Sequence, residues 1–266
     1  MTLDQVAIIG AGRVGLTLAR ALTHSGTVVK VFGREAPTLD PSGLVLIAVP
    51  DDAIEDVARA LARAGAITSR HVILHTSGLR DRTALAELES SGAALGSWHP
   101  LQTFATPTEG SDLFVGIPAV IEGDSRALAV GRALAERLQL QPIVEIPAAG
   151  KSAYHAAAVF ASNYLVVLAE TARRLGIDAG AGAASAEMFL PLMRQTLSNY
   201  AIGGAASLTG PIRRGDAGTV ARHLAVLTGD DRLLYLALGR AALQLAREAG
   251  LEPAKAEAIE RLLTGK

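Results

Sequence analysis

Cysteine is absent from the chain, which excludes disulfides, thiolate metal sites and cysteine nucleophiles at the outset. An excess of positive charge is also missing. The 25 Lys and Arg residues stand against 26 Asp and Glu, a net charge of −1, and no basic run appears. This balance gives no electrostatic footprint for nucleic acid or an anionic membrane surface, so neither is expected as a partner. The six histidines lack a ligand spacing such as H-E-x-x-H, and no metal is expected. Internal repeats, low-complexity tails and disordered linkers are not seen. The chain opens directly into an apolar run with no signal-peptide pattern, so a cytoplasmic location is the expectation. One stretch approaches membrane-spanning length without a formal charge, Ser152 to Ala169. Ser152, Tyr154, His155, Ser162 and Asn163 interrupt it, and the expected reading is a helix buried on most sides, in a domain core or a dimer interface.

What the chain does contain is a strand, a glycine fingerprint, a helix and a second strand in immediate succession. Gln5 to Ile9 reads as the strand, and Gly10-Ala11-Gly12-Arg13-Val14-Gly15 fits G-x-G-x-x-G at the entry to a helix that runs toward His24 and stops near Gly26. The first glycine permits the tight turn, the second lets a pyrophosphate approach the backbone, and the third lets helix and strand pack closely. A bound anion would sit on the helix N-terminus. The second strand, Thr27 to Phe32, ends in Gly33-Arg34, where an NAD-selective site usually offers a carboxylate to the ribose 2′-hydroxyl. Arg34 favours a 2′-phosphate and hence NADP(H), the alternative being a solvated surface charge beside Glu35.

With 266 residues, half of them hydrophobic, the chain is long enough for two modest domains. Residues 1–147 predict a mostly parallel, doubly wound α/β sheet of the Rossmann type. Its further strands are expected at Leu44 to Val49, Val72 to His75, Ala94 to Trp98, Phe114 to Ile121 and Pro142 to Ile146, with helices to about Ala64, over Arg82 to Ser90 and over Ser125 to Leu138. Residues 148–266 show only helical periodicity and predict an all-helical domain beyond a hinge at Pro147 to Gly150. Asp230 or Asp231 is expected to cap the helix that runs to Gly250, and Pro253 suits the first turn of the last helix.

Ligands of open α/β sheets bind beyond the carboxyl ends of the strands. Val49-Pro50-Asp51 and Ser77 are therefore expected near the cofactor, and His75 and His99 where a nicotinamide ring and a substrate meet, with Gln102 close by. On the following helix, at about 100° per residue, His155 and Ser162 fall about 40° and 20° from Lys151, and Ala158 shares the stripe. Reduction of a C=O or C=N bond needs a proton or hydrogen-bond donor, and Lys151 is the leading one, with a solvated junction lysine as its alternative. For His155, Ser162 and Asn163 the alternative is hydrogen bonding inside a helix bundle, and for His99 it is backbone tethering. His24 and His71 read as surface residues. Arg213 and Arg214, within Leu208 to Asp216, are candidate anchors for a substrate carboxylate, or else salt-bridge partners of Asp216.

Several of these segments together resemble a family of oxidoreductases that join a Rossmann-like domain to a helical domain of unknown function, number 2520. The carriers are the fingerprint at Gly10 to Gly15, His99-Pro100-Leu101-Gln102-Thr103-Phe104, Lys151 to Ala158 with Ser162-Asn163, and Thr209-Gly210-Pro211 with Arg214-Gly215-Asp216. More distantly the layout is similar to pyrroline-5-carboxylate reductase, ketopantoate reductase and the β-hydroxyacid dehydrogenases. The resemblance implies NADPH-dependent reduction of a small carboxylate-bearing ketone, ketopantoate being favoured, and homodimerisation through the helical domain. Lys151 corresponds in kind to the catalytic lysine of the latter two groups, although position 155 is His where they have Asn. His99-Pro100 is similar to a strand-end histidine of prephenate dehydrogenases. The alternatives are an imine reductase of the pyrroline-carboxylate type and a non-catalytic NADP-binding sensor.

Overall fold

Alternation along the strands puts apolar side chains on both sides of one sheet. Val6, Ile8, Leu44, Leu46, Val72 and Leu74 enter one core, while Ile9, Val45, Ile47 and Ile73 enter a second. A strand buried on both faces needs such a pattern, and parallel sheets covered by helices supply the two cores. In a computed structural model, which describes residues 3–33, 35, 37–41, 43–104 and 112–265, these strands form a seven-stranded sheet.

The strands are β1 (Gln5–Ile9), β2 (Val28–Phe32), β3 (Gly43–Ile47), β4 (His71–His75), β5 (Ala94–Pro100), β6 (Ala119–Gly123) and β7 (Ile143–Glu145). Their order is β2-β1-β3-β4-β5-β6-β7, and every pairing is parallel except β5 with β6. The order reverses between β1 and β3, and a doubly wound sheet opens its ligand crevice at such a switch point. Helix α1 (Arg13–His24) and helix α3 (Ser125–Arg137) bury Leu18, Leu22, Val130 and Leu134 in the first core, and α2 (Ile54–Arg63) buries Ile54, Ala58 and Leu61 in the second. The Rossmann-like, mostly parallel architecture is the expected one.

The strand expected over Phe114 to Ile121 is shorter than its apolar content suggests. Asp112–Phe114 forms a 3₁₀ turn, Gly116 adopts φ +74°, and pairing begins only after Pro118. A left-handed glycine and a proline terminate the extended run. His71, expected at the surface, is buried on β4, where Nδ1 accepts from the Thr68 amide at 3.0 Å and Nε2 donates to the Asp40 carbonyl at 2.9 Å.

Two compact units account for the chain, Met1–Tyr164 and Leu165–Lys266. Helix α4 (Lys151–Ala161) therefore falls in the first unit, whereas the expected boundary at 147/148 precedes it. Beyond α5 (Asn163–Gly176) the described second unit is helical throughout: α6 (Ser185–Met188), α7 (Leu190–Gly203), α8 (Gly210–Arg214), α9 (Ala217–Val226), α10 (Gly229–Glu248) and α11 (Pro253–Thr264). Val220, Leu224, Leu243, Ile259 and Leu263 form its core. Thr228 occupies the N-cap of α10, so Asp230 and Asp231 lie in its first turn instead of capping it.

Among the described residues, the helical run Ala148–Ala184 is long and apolar enough, by length and composition, to cross a membrane. None of its most apolar window is buried within the chain, which corrects the expectation of a helix buried in a domain core. Phe160 and Val166 are about 70% exposed.

The glycine turn has little room to vary. A Cβ on Gly15 would lie 1.9 Å from the Gly10 carbonyl oxygen, and one on Gly10, which has φ +119°, would lie 2.2 Å from the Ala48 carbonyl oxygen. Backbone atoms on both sides cannot yield as a flexible side chain would. Gly15→Ala is expected to lower unfolding free energy by ~2 kcal/mol or more, measured by urea denaturation.

Candidate functional site

Gly12 differs from its two partners in the fingerprint. It is the N-cap of α1, and a Cβ placed there meets no atom within 4 Å. The space beside the Gly12 backbone is thus open at a helix N-terminus whose first turn carries no acidic residue. Unpaired amides and the positive end of the helix dipole favour an anion in that position. Ala11, Arg13 and Val14 surround the same turn, and Val49 and Pro50 follow β3 directly across the switch point. A dinucleotide pyrophosphate fits this cradle. Arg34, the candidate for reading the 2′-phosphate, lies outside the described residues.

Next to the turn is a cleft of about 300 Å³, lined by Arg13, Val14, Thr76, His99, Pro100, Gln102 and Phe104. A second cleft of about 640 Å³ runs from His99, Gln102 and Thr103 along α4 to Tyr154, His155, Ala158, Ser162 and Asn163. His99 and Gln102 line both. No residue on the described wall of the larger cleft is Asp, Glu, Lys or Arg. The small side chain of Ala158 does line it between the polar groups, as the helical spacing predicts.

The ring of His99 is fixed from two sides. Nδ1 lies 2.6 Å from the Tyr154 hydroxyl in an edge-on ring pair, and the far edge lies against Gly78, where a Cβ would come within 3.0 Å of Cε1 and 3.1 Å of Nε2. The same Cβ would lie 3.2 Å from His155 Cδ2, so a missing side chain at Gly78 lets both imidazoles close on one loop. Burial, and then the charge of Lys151, lower the His99 pKa to about 4. Burial pushes Tyr154 up to about 12. Both groups are accordingly neutral at pH 7 and joined by one short hydrogen bond.

Lys151 takes a different place from the one its helical phase suggests. It is 1% exposed and lines neither cleft, and Nζ donates to the Ser77 carbonyl at 3.0 Å and to Ser97 Oγ at 2.9 Å. Glu122 and Asp81 help to balance its charge, yet burial dominates and lowers its pKa to about 8. The ammonium thus joins the loop after β4 to β5 from the first turn of α4. Ser77 shares that tie through its carbonyl, while its hydroxyl accepts from the Leu79 and Arg80 amides, so its side chain closes the loop and lines neither cleft. His75, expected at the meeting point of cofactor and substrate, is wholly buried below the loop. Its Nδ1 accepts from the Ser77 amide at 3.3 Å, Nε2 donates to the Asp81 carbonyl at 3.0 Å, and burial lowers its pKa to about 4.

The predicted stripe on α4 divides at both ends. Lys151 turns inward, His155 and Ala158 face the cleft, and α4 ends at Ala161, with Ser162 as its C-cap donating to the Ala158 carbonyl at 2.7 Å. Tyr154, Ser97, Glu122 and Gly78 complete the arrangement; none of them has a role assigned from the sequence, although Gly78 falls in the strand-end segment after His75. Only Tyr154 had a readable signal, one helical turn from Lys151. Arg213 and Arg214 lie in the second unit, on a separate cleft. Their proposed partner Asp216 instead caps α9, accepting from the Thr219 amide at 2.9 Å and its hydroxyl at 2.7 Å.

Comparison with known proteins agrees with this architecture. Residues 117–242 match the family model described as a domain of unknown function, DUF2520, a stretch that begins at the sheet and extends into α10. The chain thus combines a Rossmann-like sheet with a helical C-terminal half and is similar over residues 117–242 to DUF2520, in line with the resemblance. Protein TM1727 from Thermotoga maritima superposes with a TM-score of 0.72 at 23% identity, covering 92% of this chain and 99% of its own. A provisionally assigned NADP oxidoreductase from Bacteroides fragilis gives 0.70 at 22% identity, with 92% and 97% covered. Pyrroline carboxylate reductase from Plasmodium falciparum, solved with NADP bound, gives 0.54 at 12% identity, with 100% and 97% covered. These likenesses are of fold. No curated protein matches the sequence.

The charge of Lys151 bears on His99 directly. Lys151→Met is expected to raise the His99 pKa above its value of about 4, because a cation that disfavours imidazolium is removed. NMR titration of the ring carbons reads this shift separately from catalysis.

Proposed function

We propose that this protein is an NADP-dependent oxidoreductase that reduces a small C=O or C=N substrate, with the nicotinamide beside the glycine turn and the substrate along α4. The observation that carries this reading is that His99 lines both clefts, placing one fixed imidazole between them. The bound dinucleotide would supply the hydride. The oxidoreductases of similar fold add support for that class, and Arg34 for NADP over NAD.

Within this reading, His99 acts as a neutral hydrogen-bond donor to the oxygen or nitrogen that gains charge, as a low imidazole pKa requires. Tyr154 fixes its orientation by donating to Nδ1, which leaves Nε2 as the N–H donor, and the proton that completes the reduction comes from solvent. Gln102, His155, Ser162 and Asn163 supply further polar contacts to substrate. Lys151, though the leading donor by sequence, holds the loop that carries Gly78. A carboxylate-bearing ketone such as ketopantoate remains the substrate expectation from resemblance, but the described wall of this cleft offers it no cation.

Titration with NADPH and NADH, followed by nicotinamide fluorescence, tests the foundation. NADPH is expected to bind more tightly, Arg34→Asp to reverse the preference, and Gly12→Ala to weaken both by about tenfold while changing stability by less than ~0.5 kcal/mol. Addition of ketopantoate, other 2-oxo acids, pyrroline-5-carboxylate and uncharged ketones then tests turnover. His99→Ala is expected to lower kcat at least about a hundredfold on any substrate found. Failure to bind either nucleotide would overturn the assignment, and binding without oxidation of any panel member would favour the sensor.

The partner proposed for the exposed apolar helices is a second copy of the chain, not a lipid bilayer. Val166, Leu192, Tyr200 and Ile202 of the helical unit are each more than 60% exposed, apolar side chains of the kind that subunit interfaces cover. Ile202→Asp is expected to shift a dimer toward monomer in light scattering after size exclusion. A monomeric wild type at micromolar concentration would refute the homodimer.

A further inference from the structure

The helical unit has a cleft of its own, about 650 Å³, whose walls include Thr209, Arg213, Arg214, Glu252 and Lys255, with Leu208 and Leu251 on the apolar side. Three cationic side chains converge there against one carboxylate. They are brought together by backbone packing. Gly215, in the left-handed region at φ +72°, ends α8 directly against the Lys255 stem, where a Cβ would lie 2.7 Å from Lys255 Cβ. Only glycine tolerates both the conformation and the contact. The arginines in the last turn of α8 are thereby set beside the first turn of α11.

The remaining bonds leave much of this cationic surface available. Arg213 is oriented by one hydrogen bond to the Ala249 carbonyl at 3.2 Å, and Lys255 approaches Glu252 at 3.6 Å. Arg214 makes no hydrogen bond or close ion pair with a described residue, because Asp216, which feels its charge at longer range, bonds Thr219. The Thr209 hydroxyl makes no capping bond to α8. Like charges held close repel unless an anion intervenes, and guanidinium groups bind oxyanions through paired N–H donors. The volume far exceeds that of an inorganic anion, and the leucines provide a surface for an uncharged body.

We propose that this cleft binds an organic dianion, a phosphate monoester or a dicarboxylate, with its charged head on Arg213, Arg214 and Lys255 and its body on Leu208 and Leu251. The site lies wholly within the helical unit and stands independently of the reductase reading.

Calorimetric titration of the full chain with phenyl phosphate, phthalate and benzoate, in a buffer free of phosphate, tests it. Phenyl phosphate or phthalate is expected to saturate one site, the tighter of the two identifying the head group, and benzoate to bind at least about tenfold more weakly because it carries a single charge. Arg214→Ala and Lys255→Ala, both at exposed positions, are each expected to weaken the dianion about tenfold and to leave NADPH affinity unchanged. Absence of saturable binding by either dianion, equal binding by Arg214→Ala, or displacement of the dianion by NADPH would overturn the proposal. NADPH binding is measured separately, so a failure here is distinguishable from a failure of the nucleotide site.

Discussion

A lysine ammonium buried at the junction of two strand ends is the constraint around which the candidate site is organised. Removing such a charge from water costs several kcal/mol unless hydrogen bonds and countercharges offset the loss. Lys151 obtains both, through the Ser77 carbonyl, Ser97 Oγ and the nearby charges of Glu122 and Asp81. The partners come from three pieces of chain: the loop after β4, which holds both Ser77 and Asp81, strand β5 and strand β6. The tie therefore fixes the relative positions of segments that sequence separates by dozens of residues. Because Gly78 lies one residue beyond Ser77, the loop surface that receives His99 and His155 is set by the same contact.

Much of the sheet-bearing unit was legible because its demands are local. An apolar run buried on both faces, three glycines at fixed spacing and a helix start are written within about thirty residues, and the fold realises them with the expected turn. The three glycines serve the separate physical needs that the fingerprint assigns to them. Gly10 and Gly15 are enforced by backbone contact, whereas Gly12 is enforced by nothing in the chain itself. A position kept free of a side chain without an internal steric reason is consistent with space reserved for a ligand.

The candidate catalytic region was less legible, for a reason of geometry. Helical phase set His155 and Ala158 on one face, with Ser162 beyond the helix end, but phase describes direction from a helix axis and says nothing of what packs against the first turn. Lys151 shares their stripe and still enters the protein, because the strand-end carbonyl at Ser77 is there to receive it. His75 and His71 show the same limit on a strand, since their acceptors, Asp81 and Asp40, are loop carbonyls that no side-chain pattern announces. Tyr154 gained its importance only when β5 brought His99 within 2.6 Å.

Burial also reassigns chemistry between these groups. A histidine with a pKa near 4 is a poor reservoir of protons at neutral pH, but it is a dependable neutral donor whose N–H stays in place. A phenol held near 12 likewise keeps its proton. Lys151 opposes protonation of His99 by its charge while remaining out of contact with either cleft. The lysine thus acts on the candidate site at a distance, through loop position and electrostatics together. Moving that cation into the cleft would give a stronger electrophile but would release the loop from β5 and remove Gly78 as a fixed surface for the two imidazoles.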